Sequence, residues 1–297
     1  MLFILSYKGI RSNLLALGLI DFPAKKRKPC TKKVFSLLFY FMYPEIIDID
    51  RTVADNKYHL LSYMTAYKGF HKNTLMEDSM TTILEINNLS YTIILNKKKK
   101  IILDNISLAI QKGDFITIKG ASGSGKSTLL QLIGSMIEPS SGEIKYQGKP
   151  LKEYLVTDYR KEVSYGFQNA SLFGETVREN LAFPFDIRNE PFDEKRAIDA
   201  LHTVSLNEDY LDQPVKALSG GEKQRIAFIR NILFLPKVLL LDEVTSALDE
   251  VNRIIIRKAV RRLNEEHGIT IIWVTHNTEE IAASKNVIEI SGGQLNE

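Results

Sequence analysis

Residues 115–136 read FITIKGASGSGKSTLLQLIGSM. A strand-like run, Phe115 to Lys119, stops at a glycine, and an apolar-periodic helical run begins a few residues later. Between them, Gly120-Ala121-Ser122-Gly123-Ser124-Gly125-Lys126-Ser127-Thr128 has the spacing G-x-x-x-x-G-K-[ST]. A strand before that spacing and a helix after it are the context that makes it a P-loop. The glycines let backbone N–H groups turn inward around a β-phosphate, and the helix N-terminus adds positive potential. Lys126 supplies a mobile cation to the β- and γ-phosphate oxygens, and the Ser127 hydroxyl is a ligand for Mg²⁺. The expected ligands are therefore ATP and Mg²⁺. The competing reading, a Gly/Ser loop matching by chance, explains neither flank.

Working outward, strand and helix patterns alternate from Thr82 onward. Strand-like runs are LEINNLSY, ILDNISLAI, DFITIKG, EIKYQG, VSYGFQ, KVLLLDE, ITIIWVTH and NVIEI. Helical patterns lie near 126–136, 176–183, 193–204, 222–234 and 250–266, the last with Val251, Ile255, Ala259 and Leu263 placed on one face. Short, continuously apolar strands such as VLLL and IIWV point to parallel strands covered on both sides. The body is thus an α/β domain with a mostly helical insert, about 168–230. The lysine run Lys97–Lys100 reads as a solvated hairpin tip.

Three further stretches carry chemistry. KVLLLDE is a buried strand ending in two acids. Asp242 can reach Mg²⁺ through its waters, and Glu243 can polarise an attacking water. Gln168, at the end of VSYGFQ, can offer its amide oxygen to the metal or the water. His276, in WVTHN, can bond a γ-phosphate. Each ends a predicted core strand, the edge at which open α/β sheets bind ligands. Read singly, any of them is an ordinary strand-end side chain; beside a P-loop they form a set.

A second glycine-rich turn, LSGGEKQR at 218–225, is redundant for the P-loop of its own chain. Ser219 and the amides of Gly220 and Gly221, at the start of a helix, make an anion site. It makes sense facing the γ-phosphate of a nucleotide held by another chain. Two copies arranged head to tail then bury two ATP molecules, and hydrolysis loosens the pair. A plain helix cap with Ser219 as its cap residue accounts for the serine but not for two glycines followed by EKQR.

These five elements, in this order, resemble the ATP-binding cassette (ABC) family over about residues 82–293. The resemblance implies an α/β P-loop NTPase cassette with a RecA-like parallel-sheet core, an antiparallel β subdomain and a helical subdomain. It implies that Glu243 is the catalytic glutamate and His276 the switch histidine. It also implies that Ser246-Ala247-Leu248-Asp249 is the D-loop that crosses to the partner, and that the segment after Gln168 receives the coupling helices of an integral membrane permease. Family members stack adenine on an aromatic in the first strand. Ile93 stands about where it is sought, and Tyr91, two residues earlier on the same face, is the aromatic available. FGETVRENLAFPFDIRN (173–189) and IRNILFLPKVLLLDE (229–243) are similar to the ATPase subunit of the two-component transporters of the Fet type, which implies iron export. The alternatives are an ATPase for lipoprotein or peptide export, and a soluble single cassette of the cluster-assembly kind. Ribosome-type members carry two cassettes with a charged linker, and DNA-repair members insert coiled coils or zinc sites; neither pattern occurs here.

Composition narrows the setting. Residues 1–79 hold 12 Lys+Arg against 7 Asp+Glu, which leaves 27 against 29 for 80–297. The body therefore gives no electrostatic reason to bind nucleic acid. A single cysteine, Cys30, permits no disulfide within the chain and fits a reducing cytosol. The longest apolar run, VFSLLFYFMY at 34–43, is about half of a bilayer span. Taken with the family resemblance, this implies a cytoplasmic, peripheral place at the membrane, with another chain doing the spanning. Residues 1–79 carry no sustained period and no motif, and Met80 is a plausible initiator. They read as an over-extended start, or else as a poorly ordered basic leader or membrane-touching arm. Residues 80–297 form the ATP-binding domain.

Overall fold

Two sheets frame the protein. The first begins with β1 (Thr82–Leu95) and β2 (Lys98–Gln111), a long antiparallel hairpin. Its two turn residues, Asn96 and Lys97, have φ of 50° and 62°. Two positive φ values give the turn the twist that the flanking strands need. Lys97–Lys100 lies at this exposed tip, as the sequence suggests. After β3 (Phe115–Lys119) and α1 (Lys126–Ile133), β4 (Ser141–Tyr146) and β5 (Lys149–Pro150) extend the sheet on the free side of β1, giving the order β2-β1-β4-β5. The structure, a computed structural model, describes residues 82–296 except 170, 283 and 285. The stretch 1–79, expected as an over-extended start, lies outside the described residues.

The second sheet is the parallel core. It takes in β3, β6 (Val163–Gly166), β7 (Val238–Asp242), β8 (Thr270–Val274), β9 (Asn286–Ser291) and β10 (Gln294–Asn296) in the order β10-β9-β3-β8-β7-β6. Only β10 runs antiparallel to its neighbour. Every residue of β7 and β8 is buried. Because side chains alternate across a strand, Leu239, Leu241, Ile271 and Trp273 enter one apolar core, and Val238, Leu240, Ile272 and Val274 enter the other. The first core is closed by α3 (Val177–Asp186), α4 (Glu194–Thr203), α5 (Gly220–Ile232) and α6 (Glu250–His267). The second is closed by α1 and the antiparallel sheet. This is the expected cassette architecture: a parallel core, an antiparallel β subdomain and a helical subdomain.

Local chemistry sets the helix ends. Thr176, Asp193 and Asp249 each accept a hydrogen bond from the backbone N–H three residues on, starting α3, α4 and α6. The helical pattern near 126–136 ends earlier than expected, at Ile133, where Gly134 caps α1. Two short helices, α2 (Val156–Glu162) and α7 (Thr278–Ala282), follow no periodic apolar run and were not expected. The expected face of α6 also needs correction. Val251 is 70% exposed, and the buried stripe is Ile256, Ala259, Val260 and Leu263. A spacing of four overshoots the 3.6-residue turn by about 40° each step, so a residue three steps back has rotated off the core.

The topology places the site. Loops leaving the carboxyl ends of β3, β6, β7 and β8 lead to Lys126, Gln168, Glu243 and His276. Parallel neighbours put those ends on one edge of the sheet.

Candidate active site

The loop from Gly120 to Gly125 is shaped by contacts that exclude side chains. A Cβ on Gly120 would sit 2.1 Å from the Ile290 carbonyl oxygen, and one on Gly125 would sit 2.6 Å from Leu103 Cδ2 and 2.9 Å from the Ile102 oxygen. The loop is thus wedged between β9 and β2, while Ala121, Ser122 and Gly123 are exposed. Helix α1 has no side-chain cap. The first-turn N–H groups of Lys126, Ser127 and Thr128 therefore have no intrahelical partner. Ser124 Oγ is buried with no hydrogen-bond partner among the described residues. An uncapped helix start beside an orphaned hydroxyl is a good fit for a phosphate.

Lys126 is 4% exposed, and its Nζ donates to the oxygens of Gly120 (3.0 Å) and Ala121 (2.9 Å). Burial pushes its ammonium below the ordinary lysine range, with Glu243 and Asp242 pulling the other way. Ser127 Oγ donates to Asp242 Oδ1 at 2.8 Å. A hydroxyl paired with a carboxylate oxygen is a donor set suited to a hard divalent cation, so the residues present fit Mg²⁺. The other oxygen of Asp242 accepts from the hydroxyl of Tyr165 at 2.8 Å. Burial, then Asp242, pushes that phenol above the ordinary tyrosine range, so it stays a donor.

Glu243 is the hub of the opposite side. Its Oε1 lies 2.9 Å from His276 Nε2, and its Oε2 accepts from Gln168 Nε2 at 3.1 Å. Gln168 Nε2 also lies 3.4 Å from Ser246 Oγ, in the segment read as the D-loop. Glu243 has φ of 49°, a left-handed conformation that side chains rarely adopt. Its own N–H, bonded to the Val274 oxygen at 3.0 Å, fixes it there. The structure therefore brings Gln168 and His276 together with Glu243 and Ser246, from three separate stretches of the sequence. Gln168 meets Glu243 through its nitrogen, which leaves the amide oxygen for the metal or the water. Tyr91 pairs with Leu103, the residue against Gly125, and is partly buried against the same core.

The second glycine-rich turn is separate. Ser219 caps α5 in a full capping box: Ser219 N donates to Glu222 Oε2 (2.7 Å) and Glu222 N to Ser219 Oγ (3.3 Å). The cap reading is thus correct as far as it goes. Gly221 also has an internal reason, since a Cβ there would lie 2.6 Å from Asn252 Nδ2. Gly220 has none among the described residues: it is exposed, and a Cβ would meet nothing of theirs within 4 Å. The partners of this turn are Glu222, Lys223 and Asn252; none belongs to the loop 120–128.

Sequence reasoning missed two side chains here. Tyr165 lies in VSYGFQ, three residues before Gln168, where period-2 alternation turns it toward the core. Glu280 is 4% exposed and accepts hydroxyl hydrogen bonds from Thr245 and Thr275, tying together the segments that follow Glu243 and precede His276. Nothing in WVTHNTEEI marks that glutamate as buried.

The family model described as "ABC transporter" matches residues 103–246, from β2 through the P-loop and the second glycine turn to Ser246. The "Probable iron export ATP-binding protein FetA" of Escherichia coli (strain K12) is 42% identical over 217 residues, 72% of this chain and 95% of that protein. The chain belongs to the ABC transporter family. It is the ATP-binding, ATP-hydrolysing part of such a transporter. Another ABC relative, the "Energy-coupling factor transporter ATP-binding protein EcfA1" of Streptococcus mutans, is 34% identical over 72% of this chain and 77% of its own length. Among solved structures, the ABC cassette MJ0796, described as a dimer in a post-hydrolysis state bound to ADP and Pi, superposes with a TM-score of 0.67. It is 28% identical, over 72% of this chain and 97% of that one. The cbiO1 protein of Clostridium perfringens, described as part of the ABC transporter complex cbiONQ, gives a TM-score of 0.63 at 30% identity, over 73% of this chain and 88% of that one.

Proposed function

We propose that this chain, through its domain 80–297, dimerises head to tail around two ATP molecules and drives a separate integral membrane permease that exports a metal ion such as iron. The observation that carries the ATPase reading is Glu243, held by His276 and Gln168 one residue beyond the Asp242–Ser127 pair. The exposed amides around Gly123 and the uncapped start of α1 wrap the phosphates of ATP. Lys126 exchanges its two carbonyl partners for phosphate oxygens. Ser127 and Asp242 hold Mg²⁺, with Gln168 as a further contact; when bound, the ion neutralises phosphate charge. Glu243 orients and polarises the attacking water, His276 bonds the γ-phosphate, and Tyr91 stacks on adenine. Ser219, Gly220 and Gly221 close over the γ-phosphate held by the other copy.

Among the described residues no helix is long and apolar enough to cross a membrane. The protein works peripherally, on the cytoplasmic face of the permease. Iron as cargo is supported by the name of the Escherichia coli relative and by the likeness of 173–189 and 229–243 to the Fet type. The energy-coupling-factor relatives favour a second reading, in which the same ATPase serves a different cargo.

Glu243→Gln tests the mechanism. The variant is expected to bind ATP, to lose turnover by about 10²–10³-fold, and to accumulate as a dimer on gel filtration. Wild-type turnover without a dimer would show that Glu243 is not the base. In a deletion strain under iron load, the wild-type gene but not Glu243→Gln should lower cellular iron. Iron that is unchanged by deletion, with ATP hydrolysis intact, would overturn the cargo.

A further inference from the structure

Asp242 has two carboxylate oxygens, and the chain engages both. Oδ1 faces Ser127. Oδ2 accepts from Tyr165, three residues before Gln168, a residue to which no nucleotide motif of the sequence gives a role. Tyr165 is held on three sides. Its ring stands 4.7 Å from that of Phe167. Its Cδ2 lies so close to the end of α1 that a Cβ on Gly134 would come within 3.1 Å. Its backbone oxygen accepts from Asn231 Nδ2 of α5 at 3.2 Å. Tyr165 as a whole is only 8% exposed. Strand pairing adds a fourth restraint, because Tyr165 sits opposite Leu240 on β7, two residues before Asp242.

A carboxylate that accepts one hydrogen bond can still turn about its last bond, since that torsion is broad. A second donor on the other oxygen removes that freedom. We propose that Tyr165 is a positioning residue for the metal end of the site: its hydroxyl holds Asp242 Oδ2 so that Oδ1 stays on the Ser127 side. The proposal rests on the reading of Ser127 and Asp242 as the Mg²⁺ ligands. Partners that orient a metal ligand from behind commonly govern metal affinity by 10–100-fold, as an order of magnitude. Phe167 acts on Asp242 only through the Tyr165 ring that it packs against, so its loss should act more weakly and in the same direction.

The test is a binding titration that involves no turnover. Affinity of the full chain for a non-hydrolysable ATP analogue is measured in EDTA and then at graded free Mg²⁺, for wild type, Tyr165→Phe and Phe167→Ala. Tyr165→Phe keeps the ring and its packing. It is expected to bind the analogue without Mg²⁺ as wild type does, which also verifies folding. The Mg²⁺ concentration that gives half of the tightening should rise about tenfold, with a smaller rise in Phe167→Ala. An unchanged Mg²⁺ dependence in Tyr165→Phe would overturn the positioning role while leaving the metal site standing. A wild type whose affinity ignores Mg²⁺ would remove the metal reading, and this role with it.

Discussion

Gly120 opens the loop that leads from β3 to α1 and Gly220 opens α5, yet their surroundings are opposite. Around Gly120 the protein is full: a methyl group there would collide with the Ile290 carbonyl. Around Gly220 there is open space. The same contrast runs through the neighbouring groups. In the loop 120–128, Lys126 folds onto the loop's own carbonyls and Ser127 is tied to Asp242. In the turn 219–221, Ser219 is satisfied by the helix it starts, and the glycine beside it answers to nothing among the described residues. One half of the site is finished within the chain and the other faces outward. A glycine that no neighbour among the described residues requires supports the proposal that a second copy approaches this turn.

The contrast can be broken or sharpened by adding one methyl group at a time. Gly120→Ala should have the largest effect. The new Cβ meets backbone, which cannot swing aside, at a φ of 147° that only glycine adopts readily. Strain and overpacking together cost about 2–4 kcal/mol. The melting temperature should fall by roughly 5–10 °C, and ATP binding should go with it in a nucleotide titration. Gly220→Ala comes next and separates the two properties. Its melting curve should match wild type within about 0.5 kcal/mol. Its ATPase rate should drop by roughly 10²-fold if the methyl group displaces the partner's nucleotide by an ångström. A stable Gly220→Ala with full turnover would mean that nothing approaches this turn. Gly221→Ala is the smallest. Its methyl group meets the Asn252 side chain, at a cost of about 1 kcal/mol. Adding Asn252→Ala should recover most of that stability in a thermal melt.

The sequence and the structure agree most closely where a motif comes with its flanks. The P-loop could be read because a strand, six loop residues and a helix appear in one stretch of 22. The acids at 242 and 243 could be read because VLLL before them has no other use than a buried strand. What escaped depends on contacts between distant elements. The hub on Glu243 joins loops 75 and 33 residues away in the chain, and no local pattern encodes that meeting. In the sequence Tyr165 is one more strand aromatic, and only the pairing of β6 with β7 brings it to Asp242. Gly221 looked like half of an anion site, and only its packing on Asn252 gives it a second reason. Helices α2 and α7 are a turn or two long, too short to display a period, and Val251 lies off the core because a spacing of four drifts around a helix.

The most direct test of the shared site pairs two variants that are each defective alone. Glu243→Gln leaves the turn 219–221 intact, and Gly220→Asp leaves the P-loop and Glu243 intact while setting a negative charge against the phosphate. The two chains, carrying different tags, are co-expressed, and the mixed dimer is purified through both tags. In a head-to-tail dimer one of its two sites combines only unaltered halves. The mixed dimer is then expected to hydrolyse ATP at about half the wild-type rate, far above either variant alone. A mixed dimer no more active than its parents would mean that each site is built within one chain, and the account of the second glycine turn would be wrong.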